Sequence, residues 1–317
     1  MQRLATNAAL DRVIDVDALV KQFRTVTALD GVSLSIAPGS IYGLIGSNGA
    51  GKTTLIRILM GLCKPTAGRA AVLGEDVRTH PGRIRPRVGY VPENHYLYSW
   101  MTVESLLGFT RRLYPQWNDK LCQSLLALFA IDRRKKIKQL SKGMVVKLAL
   151  VIAMAHEPPL LVLDEPTSGL DPLVRADFLD VVQARHRATG QTVLFSSHIL
   201  SDIQNLASDI GILHAGRLLV SGTSEAVQKS IRIVRVTPPA DGRAIVPPER
   251  TLWHARQGEE YWLAVPDYDD RVAAEVAAKN RVQVIAVREP TLDEVYLYYV
   301  RGAGHHDIAA ALEGHSA

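Results

Sequence analysis

Residues 46–53 read Gly-Ser-Asn-Gly-Ala-Gly-Lys-Thr, and no other stretch of this 317-residue chain limits its fold as tightly. The pattern G-x-x-x-x-G-K-[ST] works only between a strand and a helix. Its glycines let backbone N–H groups wrap phosphate oxygens, and the helix start adds a partial positive charge. Both flanks are legible: residues 40–45 form a short apolar run, and residues 52–60 follow a helical pattern ending at Gly61. In this reading Gly46, Ser47, Asn48, Gly49, Ala50 and Gly51 form the wrapping backbone and Thr54 continues it into the helix. Lys52 reaches the β- and γ-phosphates, and Thr53 offers its hydroxyl to Mg²⁺. A glycine-rich turn with an accidental lysine is the alternative, and the strand–helix context speaks against it.

A second acidic element follows. Leu160-Leu161-Val162-Leu163 is apolar on both faces, as a covered central strand should be, and it ends in Asp164-Glu165. Asp164 can hold Mg²⁺ through a water. Strand alternation points Glu165 the other way, where it can polarise an attacking water. Paired acids also end strands as solvated edges, and the phosphate loop is what favours the catalytic reading. Between the two elements, Leu140-Ser141-Lys142-Gly143-Met144 precedes an apolar helix at 144–155. Ser141 sits as an N-cap, so its hydroxyl and the next amides form a second anion-binding helix start.

These elements lie in a chain that alternates short β-branched runs with helical patterns from about residue 12 to 220, which implies a parallel sheet with helices on both faces. Asp171-Pro172 reads as a cap followed by proline at the first position of a helix running to Gly190, and 191–197 as a further strand. Residues 100–140 break the rhythm with helices near 102–114 and 118–129. The basic run Arg133, Arg134, Lys135, Lys136 and Lys138 reads as a solvated face, with docking as the alternative. After Ser224 the composition shifts to strands at 231–237, 251–256, 260–265 and 282–287 and helices at 268–280 and 290–300. Leu292, Val295, Tyr296 and Tyr299 share one face of the last helix. The tail from Gly302 is polar and expected to fray, and its His305-His306 pair is not read as a metal site.

Composition narrows the class. With 47% hydrophobic and 22% charged residues, disorder, collagen and coiled coil are excluded, and the length suits about two domains. A formal net charge of +5 is compatible with a nucleotide, a nucleic acid or an anionic surface and decides between none of them. Cys63 and Cys122 are too few for a disulfide framework. No apolar run approaches the ~18 residues of a membrane span, and Met1 to Val20 carry no apolar block, so no secretory leader is expected.

Taken in order, the phosphate loop, LSKGM at 140–144, VLDEP at 162–166, SGLD at 168–171 and Ser196-Ser197-His198 make the chain resemble the ATP-binding cassette (ABC) family over about residues 12–222. The resemblance implies an α/β fold of the P-loop NTPase type with a mostly parallel sheet, an inserted helical subdomain and a small C-terminal α+β domain. The implied boundaries are 12–223 for the nucleotide domain, about 100–155 for its helical subdomain, 224–301 for the accessory domain and 302–317 for the tail. It also implies an ATPase using ATP and Mg²⁺ as a head-to-tail homodimer, or paired with a second ATPase subunit. Ser141 and Gly143 of one subunit would close over ATP on the other's loop, Asp171 would link the two sites, and His198 would sense the γ-phosphate. Phe23 falls where the family stacks adenine. No N-K-x-D guanine motif is present.

Three positions depart from the family pattern. Glu93 stands where Gln is usual; it can still ligate Mg²⁺ but cannot donate a hydrogen bond. Lys142 replaces Gly and Met144 replaces Gln in the signature, and hydrolysis is expected to survive. The segment Glu289-Pro290-Thr291-Leu292-Asp293-Glu294-Val295-Tyr296-Leu297 is similar to the ending of drug-, antibiotic- and polysaccharide-exporter ATPases. The implied partner is a transmembrane permease reached from the cytoplasmic face of the membrane, with Tyr96, Tyr98 and Trp100 as anchors for one of its helices, internal packing being the alternative for these rings. No nucleic-acid partner is expected. The alternative function is a soluble accessory ATPase of the iron–sulfur assembly type.

Overall fold

The computed structural model describes residues 11–304. The readings made for the first ten residues, and for the tail with His305 and His306, lie outside the described residues.

The chain begins with β1 (Ile14–Phe23) and β2 (Val26–Ile36), paired antiparallel with Ile14 opposite Ile36. The strand–helix alternation expected from residue 12 onward therefore does not hold here. These two strands join β4 (Ala67–Val72) and β5 (Glu75–Asp76) in a separate antiparallel sheet, because a turn at Arg24-Thr25 returns the chain on itself before any helix can form. β3 (Ile41–Ile45) then leads through the phosphate loop into α1 (Lys52–Leu59). β4 (Ala67–Val72), β5 (Glu75–Asp76), the short α2 (Pro81–Ile84) and β6 (Val88–Val91) follow.

Next come α3 (Val103–Arg111), α4 (Asp119–Leu128) and α5 (Lys142–Ala155). Each starts on a side-chain cap, Thr102, Asn118 and Ser141, that accepts an orphan N–H of the first turn. The helix α5 is buried on nearly every side, as its apolar sequence requires. β7 (Leu160–Asp164), α6 (Pro172–Thr189), β8 (Thr192–Ser197), α7 (Leu200–Leu206), β9 (Asp209–His214) and β10 (Arg217–Thr223) complete the nucleotide region. Asp171 caps α6 and Gly190 ends it in the left-handed region.

In the larger sheet β3, β8, β7 and β6 lie side by side in that order and run parallel. All four residues Leu160 to Leu163 are fully buried, each contributing roughly 1.5–3 kcal/mol of apolar burial. This arrangement brings the C-terminal ends of β3, β7 and β8 to one edge, where an open α/β sheet carries its ligand.

Contacts divide the chain into two compact units, one running to Asp209 with Ala215–Leu218, the other holding Ile210–His214 and the chain from Leu219 onward. The second unit contains α8 (Ser224–Lys229), β11 (Ile231–Val236), β12 (Trp253–Gln257), β13 (Glu260–Pro266), α9 (Asp270–Asn280), β14 (Val284–Arg288) and α10 (Leu292–Gly302). Its four-stranded antiparallel sheet has the order β12-β13-β11-β14. Val234, Val236, Leu263 and Val265 pack with Val272 and Val276 of α9. On α10 the inward face is Leu292, Val295, Tyr298 and Val300 rather than the face that included Tyr296 and Tyr299. The Tyr298 ring stacks on Trp253 of β12 at 5.1 Å, which turns the helix toward it.

Candidate nucleotide site

The loop between β3 and α1 is shaped by glycines where a side chain would strain the backbone. Gly49 and Gly51 take φ of +82° and +110°, conformations glycine adopts without a Cβ penalty. Lys52 begins α1 and folds back over the loop. Its Nζ donates to the carbonyls of Gly46 at 2.6 Å and Ser47 at 3.0 Å, and Glu165 Oε1 lies 2.9 Å away.

Asp164 ends β7 with its side chain fully buried. Its Oδ1 accepts from the Thr53 hydroxyl at 3.2 Å and the Ser196 hydroxyl at 2.9 Å, while Oδ2 has no hydrogen-bond partner. Burial pushes the Asp164 carboxyl above the usual range; the two hydroxyls pull it down, and nearby Glu93 and Glu165 push it further up. A cation would relieve that strain. The donor set fits a hard divalent ion: a hydroxyl, a carboxylate oxygen without a partner and a second carboxylate nearby. Among the described residues no group of three or more acidic, His or Cys ligands forms a metal cluster, as expected where phosphate oxygens complete the coordination.

Glu165 is not aimed by strand alternation, as its sequence position suggested. The strand ends at Asp164, and Glu165 itself sits at φ +48°. This turn places Oε2 against His198 Nδ1 at 2.7 Å, and the Glu165 N–H donates to Ser196 Oγ at 3.0 Å. Ser196 thus holds both acids at once, a role the sequence reading did not assign although Ser196 stood within its Ser-Ser-His motif.

The loop from Ser47 to Thr54, Glu93 and Glu165 line one cleft, together with Val26, Thr27, Ala28, Ala215 and Gly216. The latter five carry no recognisable sequence signal, because they reach the cleft only through tertiary packing. Phe23 is not among the lining residues; it is 47% exposed, with Lys21 Nζ 4.5 Å over its ring. Ser141, Gly143 and Asp171 also stand outside this cleft. Ser141 Oγ accepts from Met144 N at 3.3 Å and Asp171 Oδ1 from Val174 N at 3.0 Å, each capping its helix. A Cβ on Gly143 would meet Val174 at 2.9 Å, so the starts of α5 and α6 touch there. Lys142 donates to the Ser168 carbonyl at 3.0 Å.

Tyr96, Tyr98 and Trp100 are 90%, 51% and 69% exposed, and the Tyr98 ring also packs 6.1 Å from those of Trp100 and Phe109. In the basic run, Arg133 pairs with Glu104 and Arg134 with Asp132, while Lys135, Lys136 and Lys138 face solvent. Cys63 and Cys122 are free thiols, and burial raises the Cys122 pKa to about 11. Among the described residues no helix is long and apolar enough to cross a membrane.

A phosphate loop at the end of one parallel strand, paired acids ending another and a histidine after a third define an ATP-binding, ATP-hydrolysing cassette of the P-loop type. The ABC transporter family model matches residues 29–168. An uncharacterized ABC transporter ATP-binding protein of Bacillus subtilis (strain 168), YhaQ, is 32% identical over 90% of this chain and 97% of its own length. The daunorubicin resistance ATP-binding protein DrrA3 of Streptomyces coeruleorubidus is 32% identical over 91% of this chain and 96% of its own. Among solved structures, an ATP-binding subunit of an ABC transporter superposes with a TM-score of 0.63 at 31% identity, covering 68% of this chain and 92% of that one. The chain belongs to the ABC transporter family, as one of its ATP-binding, ATP-hydrolysing subunits. These relatives do not favour the iron–sulfur accessory alternative.

Proposed function

We propose that two such subunits close head-to-tail around two ATP molecules and drive a separate transmembrane permease in the direction of export, working at the cytoplasmic face of the membrane. The observation that carries this reading is a division within one chain. The phosphate cleft holds Lys52, Thr53, Glu93 and Glu165, whereas Ser141 and Asp171 are exposed helix caps outside it. A second copy, identical or a related ATPase, would supply Ser141 and Gly143 to each loop and bring its Asp171 between the sites.

In the bound state, the residues from Gly46 to Thr54 hold the phosphates, and Phe23 offers its free ring face to the adenine. Thr53 and Asp164 would hold Mg²⁺ with Glu93 close by; the ion supplies charge neutralisation at the phosphates. Glu165 accepts a proton from the attacking water, and His198 holds Glu165 through the 2.7 Å contact. The exposed rings of Tyr96, Tyr98 and Trp100 give a permease helix an apolar landing site. Export is supported by the name of the daunorubicin resistance relative and by the 289–297 segment. The domain limits follow the sequence reading, 12–223 and 224–301.

Cross-linking tests the arrangement. With Cys63→Ser as background, Asn48→Cys and Ser141→Cys are introduced in one chain and treated with a short thiol cross-linker. An ATP-dependent covalent dimer is expected; a product that stays monomeric with ATP, Mg²⁺ and Glu165→Gln present rules out the shared site.

A further inference from the structure

Apart from Asp164, the most deeply buried carboxylate among the described residues is Asp202, 1% exposed. Its two oxygens are divided between two other segments. Oδ2 accepts from the Thr167 hydroxyl at 2.6 Å, and Oδ1 pairs with Arg175 Nε. The same guanidinium donates to Ser201 Oγ at 2.7 Å.

The three segments are those on which hydrolysis depends. Thr167 lies two residues past Glu165, in a turn closed by Ser168 N to Glu165 O at 3.2 Å and Leu170 N to Thr167 O at 3.2 Å, which delivers the chain to Asp171. Arg175 stands in the first turn of α6, its N–H bonded to the Asp171 carbonyl at 3.0 Å. Asp202 itself is in the first turn of α7, four residues beyond His198.

A buried ion pair contributes little net stability compared with apolar residues of the same volume, but breaking it by removing one partner is costly. Such a pair therefore holds its segments in one fixed relation better than it stabilises the fold. If the start of α6 shifts, Arg175 carries Asp202 with it, since separation would leave a desolvated charge unpaired. Asp202 in turn holds both Thr167, next to Glu165, and the helix that follows His198.

We propose that Asp202 is a positioning residue that couples the partner-facing turn at Asp171 to Glu165 and His198, so that engagement of Asp171 at the subunit interface sets both groups for hydrolysis. This rests on the paired-subunit reading above. Asp202 touches no nucleotide; its effect passes through Thr167 and Arg175.

The test uses the full chain and three substitutions: Thr167→Ser, which keeps the hydroxyl, Thr167→Val, which replaces it with a methyl, and Asp202→Asn. Phosphate release is followed against ATP concentration, with melting temperature as the check on folding. The wild type and Thr167→Ser are expected to share one kcat and a Hill coefficient above 1. Thr167→Val and Asp202→Asn should lower kcat about tenfold, bring the Hill coefficient toward 1 and leave KM for ATP within about twofold. If Asp202→Asn fails to fold, the Thr167 pair still gives the answer. Folded Thr167→Val with unchanged kcat and Hill coefficient, or Thr167→Ser as impaired as Thr167→Val, overturns the coupling alone. A wild type that hydrolyses ATP as a monomer without cooperativity overturns the paired reading and the coupling with it.

Discussion

Lys52 Nζ stands 2.9 Å from Glu165 Oε1, with both side chains 5% exposed. The cation assigned to phosphate and the carboxylate assigned to water thus form one ion pair, and His198 closes on the other carboxylate oxygen. In the proposed reading, phosphate oxygens arriving at Lys52 would compete with Glu165 for it and free that carboxylate for the water. Glu165→Gln should slow phosphate release by about 10²–10⁴-fold while keeping ATP binding, and light scattering should find a dimer in ATP. Turnover at the wild-type rate would remove Glu165 as the base.

Lys52→Ala should weaken ATP binding by about 10- to 100-fold, the range expected for a hydrogen bond to a charged group. Ser141→Arg should spare binding and stop hydrolysis. Mixed together, the two variants can assemble one sound site per heterodimer, so activity should reappear that neither has alone. Full activity of either variant by itself contradicts the shared pocket.

Glu93 lies close enough to raise the Asp164 carboxyl, beside the larger effect of burial. Glu93→Gln removes that like charge and replaces a candidate carboxylate ligand with a neutral, weaker amide oxygen. The Mg²⁺ concentration for half-maximal turnover should rise several-fold, with KM for ATP changed less; a Mg²⁺ titration at fixed ATP reads both. An unchanged titration makes Glu93 peripheral.

His156 is 4% exposed and stacks on Tyr114 at 4.0 Å. Burial pushes its pKa below 6.5, outweighing nearby backbone carbonyls. The unfolded chain therefore takes up this proton at a higher pH than the folded one. The stability it contributes is complete above about pH 6.5 and is lost as pH falls toward the depressed folded value. His156→Phe keeps the stack and removes the titration, so its melting temperature should fall by a few degrees less than wild type between pH 7 and pH 5. Parallel declines would mean that other groups dominate.

Much of the site was legible because its chemistry is local. The loop from Gly46 to Thr53 and the capped start of α5 at Ser141 are each set by a few adjacent residues, whose backbone needs can be met only by those residue types. What local spacing did not set was direction. Glu165 looked like the next residue of a strand, yet a left-handed turn aims it at Lys52 and His198. Tyr298, rather than Tyr296, turned inward because Trp253, distant in sequence, offered it a ring.

By itself the sequence determined the covered strand at Leu160 to Leu163, the capped helix starts at Ser141 and Asp171, the phosphate loop and the family, since these depend on side-chain period, glycine conformations and short spacings. Only the tertiary structure decided which carboxylate meets which cation, that Ser196 serves Asp164 and Glu165 together, and that Asp202 ties Thr167 to Arg175. Those contacts join residues dozens of positions apart, and pairing across such distances is fixed by how sheet and helices pack, which no local pattern encodes.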